Sequence, residues 1–144
     1  MILADEQATD DLGARIARTL RAGDVVALSG ALGVGKTALA RGILAALGHE
    51  GEVPSPSFAI IQPYDELELP VWHVDLFRIE DVGELEELGL DAATEGVLLV
   101  EWPEKAGVAA WPQALVLTLE FAEGGARRLT AKVSPSWQSR WPPR

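Results

Sequence analysis

The sequence predicts an α/β fold with a mainly parallel, mixed sheet flanked by helices and a C-terminal antiparallel hairpin. Short apolar runs alternate with amphipathic helical segments along most of the chain. A glycine-rich turn joins one apolar run to a helical segment, and Glu123-Gly124-Gly125 separates two strand-like segments near the end. The chain has 144 residues, a length that fits one domain, so we expect residues 1–144 to form a single domain.

The elements follow one another in a regular order. Leu12, Ile16 and Leu20 recur on one helical face, which predicts a helix from Thr9 or Asp10 to Arg21. The run 25–28 predicts a buried strand, and the helix after the glycine-rich turn is expected to end at Leu47, before Gly48. Further strands are predicted at 58–62, 71–76, 97–100, 115–121 and 128–133, with an acidic helix at 81–88.

The last ten residues form a proline-rich tail that contains Trp137 and Trp141. Two alternatives remain open for residues 135–144. The tail is either frayed, or it is docked on the domain by its two indole rings.

Composition excludes several classes of protein. With 48% hydrophobic and 24% charged residues, the chain is typical of a globular protein and not of a disordered one. Cysteine is absent, which excludes disulfides and thiol nucleophiles, and two histidines make a histidine-rich metal site unexpected. No apolar run approaches the ~18 residues of a membrane span, and the first residues do not resemble a signal peptide. We therefore expect a cytoplasmic protein without membrane association.

Charge is distributed unevenly along the chain, whose net charge is −10. Residues 51–104 carry one basic and fourteen acidic side chains, whereas residues 105–144 carry six basic and two acidic ones. The acidic segment is either an ordinary solvated face or a surface for a basic partner. Nucleic-acid affinity depends on Lys and Arg contacts with phosphates. We therefore predict no appreciable binding of nucleic acid by the isolated protein.

The strongest motif spans residues 30–37, where GALGVGKT fits the pattern GxxxxGK[ST]. Such a loop turns successive backbone amides toward phosphate oxygens, and the helix that follows adds its positive dipole end. Lys36 would contact the β- and γ-phosphates, and the Thr37 hydroxyl would bind Mg²⁺. The motif predicts a P-loop NTPase-like fold that binds the phosphates of a nucleotide together with Mg²⁺. We expect Lys36 to be exposed until nucleotide arrives.

Two carboxylates are candidates for the acidic partner that such a site requires. Glu101 follows the apolar run 97–100, and Asp75 follows 71–74. One would contact the metal and the other would position the attacking water, and the division of roles stays open. The alternative for Asp75 is a helix cap at the end of the strand. His73, inside the same run, is interpreted as a packed or hydrogen-bonded histidine.

A proline-stiffened loop follows the phosphate-binding helix. Pro54 and Pro56 flank Ser55, and Ser57 comes next. The hydroxyl of Ser57 is a candidate sensor of the γ-phosphate, as in a switch segment. The alternative is an ordinary turn before a strand.

Five motifs together resemble those of the TsaE (YjeE) family in order and spacing: GALGVGKT, SPSF, WHVDLFR, GELEELGL and LLVEWPE. The resemblance extends over nearly the whole chain. It implies a small P-loop ATPase that is slow when isolated and acts in the biosynthesis of threonylcarbamoyladenosine in tRNA. It also implies TsaB-like and TsaD-like partner proteins, with the transfer step performed by TsaD.

The resemblance also assigns roles to individual residues. Thr37 and Glu101 match the family's magnesium-binding positions, and Asp75 matches the aspartate of its HxDLYR stretch, in which Phe77 replaces tyrosine. Ser57 stands where the family usually has threonine, with the hydroxyl kept. The resemblance implies nucleotide contacts in four regions. The phosphate loop contributes Gly30, Leu32, Gly33, Val34, Gly35, Lys36, Thr37 and Ala38. Glu6 and Thr9 belong to the segment near the adenine, Trp102 lies beside the metal ligand, and Arg128 belongs to the last hairpin.

Two other functions remain as alternatives. A small-molecule P-loop kinase usually needs a basic lid over the phosphates, and residues 51–104 offer only Arg78 for it. The other alternative is an interaction module gated by nucleotide without useful turnover.

Overall fold

A single seven-stranded sheet organises the molecule. The computed structural model describes residues 1–54, 61–90, 95–107 and 110–144. Within them the strands are β1 (Ile2–Leu3), β2 (Val25–Gly30), β3 (Ile61–Tyr64), β4 (Val71–Asp75), β5 (Val97–Glu101), β6 (Leu115–Phe121) and β7 (Arg127–Val133). Their order across the sheet is β1-β7-β6-β2-β5-β4-β3.

Parallel strands form the centre of the sheet, and antiparallel strands form both edges. β6, β2, β5 and β4 are parallel neighbours, while β7 and β1 on one side and β3 on the other run antiparallel. The central runs, such as 97–100, are apolar throughout because both faces of a central strand are covered. The predicted α/β fold with a mixed sheet and a final hairpin is confirmed.

Two helices cover one face of the sheet. These are α1 (Glu6–Ala17) and α2 (Lys36–Ala46), which pack closely against each other. An added Cβ at Gly13 would lie 2.8 Å from the backbone of Gly42, so the absence of side chains permits this close approach. The buried apolar side chains of both helices join those of the sheet in the larger of two cores.

The first helix begins and ends earlier than predicted. The predicted start at Thr9 or Asp10 is wrong because Asp5 caps the helix, its carboxylate accepting the Ala8 amide at 2.8 Å. At the other end, the amide and hydroxyl of Thr19 both donate to the carbonyl of Ile16. Regular helix therefore stops at Ala17, well before Arg21.

The opposite face of the sheet carries a smaller core under α3 (Val82–Glu87). Asp81 and Glu84 form a capping box at the start of this helix. Leu85, Leu88 and Trp111 pack against the buried apolar side chains of β2, β4 and β5.

Two strands differ from the sequence expectation. β1 was not predicted, because two residues show no periodicity, and it is a strand only through its antiparallel pairing with β7. The predicted strand at 58–62 falls mostly outside the described residues, and β3 continues through Pro63 to Tyr64 at the sheet edge.

The C-terminal tail packs on the domain through both of its tryptophans. Trp137 is 1% exposed and belongs to the larger core, and Trp141 packs against that core. Arg140 makes two hydrogen bonds to Asp24, at 2.6 and 3.0 Å, and its guanidinium lies 3.9 Å from the centre of a Trp137 ring. Along the described part of the chain, no helix combines the length and apolarity needed to cross a membrane.

Candidate nucleotide site

Three parallel strands bring the predicted polar residues to one edge of the sheet. β2 ends in the phosphate loop, β5 ends at Glu101 and β4 ends at Asp75. The register pairs Asp75 with Glu101 and Glu101 with Leu28. In open α/β sheets, ligands bind outside the carboxyl ends of the strands, and this edge is therefore the candidate site.

A cavity of about 200 Å³ opens at this edge. Each described residue that lines this cavity is a site residue predicted from the sequence: Leu32, Gly33, Gly35, Lys36, Thr37, Ala38, Asp75, Glu101 and Trp102. Two other selected residues, Gly30 and Val34, support the loop from behind. Gly30 pairs with Leu119 in β6, and Val34 is fully buried.

Thr37 and Glu101 meet directly. The Thr37 hydroxyl lies 2.9 Å from Oε1 and 3.1 Å from Oε2 of Glu101, whose side chain is almost completely buried. A hydroxyl and a carboxylate are the oxygen ligands that Mg²⁺ prefers, and this ion usually takes only one or two protein ligands beside substrate phosphates and water. This pair therefore fits a magnesium ion that a nucleotide would complete. Among the described residues, no group of three or more His, Cys, Asp or Glu side chains forms a separate metal cage.

Lys36 is folded back onto the phosphate loop, so the expectation that it is exposed is wrong. Its side chain is 4% exposed, and its ammonium donates to the carbonyls of Gly30 and, at 3.0 Å, of Ala31. The ammonium also lies 4.0 Å from the centre of a Trp102 ring. Burial lowers the pKa of Lys36, while the charges of Glu101, Asp75 and Glu104 act in the opposite direction. Two carbonyls of the loop therefore accept N–H groups of the Lys36 ammonium that would otherwise contact a phosphate.

Asp75 lines the cavity and also makes a local contact. Its side chain is 5% exposed, and one carboxylate oxygen accepts the amide of Phe77 at 2.8 Å. The helix-cap alternative for Asp75 is wrong, because the next helix begins at Val82 and is capped by Asp81. The contact with Phe77 belongs to a local turn and is compatible with the position in the cavity, because a carboxylate has several acceptor positions.

Trp102 adopts an unusual backbone conformation at the mouth of the cavity. Its φ of 60° lies in the left-handed region, where a bulky residue is rare. The conformation directs the indole over Lys36, and Phe77 packs on it with ring centres 4.9 Å apart. Strain of this kind clusters at functional sites, which supports a ligand contact for Trp102.

Other selected residues lie apart from the cavity lining. Glu6 is exposed at the start of α1, and the Thr9 hydroxyl contacts the carbonyl of Asp5 at 3.4 Å. Arg128 is exposed in β7, and strand alternation turns it away from the face on which its neighbour Leu129 is buried. Ser57 lies outside the described residues.

Two contacts to the site were missed from the sequence. Arg127, next to the selected Arg128, donates its Nε–H to the carbonyl of Val34 at 2.8 Å and so ties the hairpin to the phosphate loop. His73, interpreted as packed or hydrogen-bonded, is bonded to Glu101 itself. Strand alternation predicts both contacts, because residues two apart lie on the same face of a strand. Arg127 therefore shares a face of β7 with Leu129, and His73 shares a face of β4 with Asp75.

A second, larger cleft of about 960 Å³ lies beside α1 and the later part of α2, with Asp10, Arg41 and His49 among its lining residues. His49 follows the end of α2, roughly 15 Å along the helix from Lys36. The smaller cavity is the candidate nucleotide site, because the phosphate loop, Lys36 and the two carboxylates line it.

The fold and this edge of the sheet define a P-loop NTPase-like α/β protein. A sequence model of the family described as "Threonylcarbamoyl adenosine biosynthesis protein TsaE" matches residues 3–129. The chain belongs to the TsaE family, and the resemblance noted from its motifs is confirmed.

Relatives and a solved structure agree with this assignment. The TsaE protein of Streptomyces coelicolor is 46% identical over 98 residues, which are 65% of this chain and 66% of that protein, just under two thirds of its length. The TsaE protein of a Nostoc species is 34% identical over 141 residues, covering 94% of this chain and 85% of that protein. The crystal structure of YdiB from Bacillus subtilis superposes with a TM-score of 0.80 at 29% identity, covering 96% of this chain and 87% of that one.

Proposed function

We propose that this protein is a Mg²⁺-dependent ATPase that acts with TsaB-like and TsaD-like partners in the threonylcarbamoyl modification of adenosine in tRNA. The observation that carries the proposal is the 2.9 Å contact between Thr37 and Glu101 beside the phosphate loop. The curated relatives are named as tRNA threonylcarbamoyladenosine biosynthesis proteins, which supports the pathway.

Each side chain at the edge has a proposed part in the reaction. The loop amides hold the phosphates, and Lys36 moves from the carbonyls of Gly30 and Ala31 to the β- and γ-phosphates. Thr37 and Glu101 hold the magnesium ion, which when bound neutralises charge on the phosphate oxygens. Asp75, which faces the same cavity, orients a water molecule for attack. These roles reproduce the interpretation of the sequence in which Glu101 is the metal ligand.

The buried resting position of Lys36 supports slow turnover by the isolated protein. Nucleotide must compete with two carbonyls and the Trp102 ring for the ammonium group. A partner that displaces Trp102 would lower the free energy needed to move Lys36 to the phosphates, because the indole lies over the lysine.

Phosphate release tests the proposal directly. The isolated protein is incubated with ATP, with and without Mg²⁺, and then with TsaB-like and TsaD-like proteins. We expect slow release that requires Mg²⁺ and accelerates with the partners. A phosphorylated product from a panel of metabolites would contradict the proposal in favour of a kinase, and no turnover with the partners would leave the nucleotide-gated module.

A separate prediction concerns tRNA. The chain has twelve Lys and Arg residues and a net charge of −10, so repulsion should oppose tRNA at low salt, where screening is weakest. We expect no micromolar complex between tRNA and the isolated protein in a gel-shift titration. Micromolar binding that disappears when Arg127, Arg128 and Lys132 are neutralised would show that the basic C-terminal segment outweighs the acidic one.

A further inference from the structure

We propose that His73 is a positioning residue that holds the Glu101 carboxylate in the orientation needed for magnesium, an inference that rests on the proposed function of Glu101. The His73 ring is fully buried, and its Nε2 lies 2.6 Å from Oε2 of Glu101, which is 2% exposed. The contact joins residues 28 positions apart in sequence, on the adjacent parallel strands β4 and β5.

The geometry of the two strands makes this pair specific. Asp75 is the register partner of Glu101, and Leu99 is the register partner of His73. His73 and Asp75 share one face of β4 because they are two residues apart, and Leu99 and Glu101 share a face of β5 in the same way. The imidazole therefore reaches Glu101 diagonally from behind, on the side away from the end of the strand.

Both oxygens of Glu101 are engaged in this network. Oε1 contacts the Thr37 hydroxyl at 2.9 Å, and Oε2 contacts both that hydroxyl, at 3.1 Å, and His73. A carboxylate this deeply buried requires partners. Thr37 is itself a proposed metal ligand, so its hydroxyl has a second task. His73 is the partner that remains available to orient Glu101 alone.

The hydrogen-bonding state of the imidazole agrees with this role. Within the part of the chain that the structure describes, Nδ1 of His73 is buried without a hydrogen-bond partner. A proton on Nε2 and none on Nδ1 gives the carboxylate its donor and leaves no buried N–H unpaired. Residues that orient a metal ligand in this way typically change metal affinity by roughly 10- to 100-fold when they are replaced.

The test separates metal coupling from nucleotide binding. Calorimetric titration with ADP is carried out in saturating Mg²⁺ and in EDTA. The ADP affinity in Mg²⁺ divided by the ADP affinity in EDTA is a ratio that measures the coupling between metal and nucleotide. His73→Leu should lower this ratio by about tenfold while the affinity in EDTA stays near that of the wild type. His73→Gln, whose amide N–H can replace the Nε2 donor, should restore most of the ratio.

The ADP titrations distinguish failure of the positioning role from failure of the magnesium site. An unchanged ratio in His73→Leu, or equal losses in Mg²⁺ and in EDTA, would overturn the positioning role and leave Glu101 as a ligand. A wild-type ratio near one would overturn the proposed magnesium site itself, and with it this inference. If thermal denaturation shows that His73→Leu does not fold, His73→Asn replaces it, because the shorter amide cannot reach Glu101, and the same ratios decide.

Discussion

Substitution of Gly30 by alanine should destabilise the protein far more than the same change at Gly33, although both glycines belong to the phosphate loop. Gly30 has φ +139° and Gly33 has φ +77°, and L residues rarely adopt either conformation. An added Cβ at Gly30 would lie 2.4 Å from the carbonyl oxygen of Leu119 and 2.9 Å from a methyl group of Val34. Among the residues that the structure describes, apart from Gly33 and its two chain neighbours, no atom lies within 4 Å of a Cβ added at Gly33.

The structure allows the two costs to be compared. Backbone strain at Gly33→Ala should cost about 1–2 kcal/mol, the usual penalty for an L residue in left-handed backbone. Gly30→Ala carries strain of about 1–3 kcal/mol and an overpacking cost of about 1–3 kcal/mol besides. The overpacking acts on backbone, because Leu119 is the strand partner of Gly30 and β2 must separate from β6 at that point. We expect a total near 4 kcal/mol for Gly30→Ala, a large part of the ~5–15 kcal/mol of a typical domain.

Urea denaturation of both variants and the wild type, followed by circular dichroism, measures the two losses. Gly33→Ala is the matched control, since it adds the same methyl group to the same loop without the clash. Equal losses at the two positions, or a larger loss at Gly33, would refute the argument from the Leu119 contact.

Three further predictions concern the site and the tail. Lys36→Ala should lower ATP affinity and turnover together. It should also lower the free energy of unfolding of the nucleotide-free protein by about 1–3 kcal/mol, because two carbonyls lose a charged donor. Equal ATP affinity of variant and wild type by calorimetry would contradict the phosphate-loop assignment. Glu101→Ala should reduce Mg²⁺-dependent turnover most. Asp75→Ala should lower turnover more than it lowers ATP affinity. If Mg²⁺ titrations show that only Asp75→Ala shifts the metal dependence of turnover, the roles of the two carboxylates are reversed. Arg140→Ala should cost about 3 kcal/mol in denaturation experiments, because the buried Asp24 carboxylate loses its guanidinium partner and keeps the Arg21 amide. The substitution should leave ATP affinity unchanged, because Asp24 precedes β2 at the end opposite the loop. A loss below about 0.5 kcal/mol would show that the ion pair is unimportant.

Local sequence determined the phosphate loop and much of the site around it. The motif at residues 30–37 carries its own geometry, because glycine spacing and the start of a helix are properties of neighbouring residues. Asp75 and Glu101 were identifiable because each ends an apolar run. Parallel strands bring such ends to one edge of the sheet whatever the details of packing.

Tertiary structure decided which side chains meet across the strands. Sequence distance hid the bond between His73 and Glu101, which depends on the register of β4 and β5. Whether Arg127 or Arg128 faces the phosphate loop depends on which face of β7 packs on the core, since a shift of one residue exchanges the two. The burial of Lys36 against Trp102 likewise requires a left-handed residue after β5. Spacing along the chain encodes local conformation, whereas these contacts arise only when distant segments share one sheet.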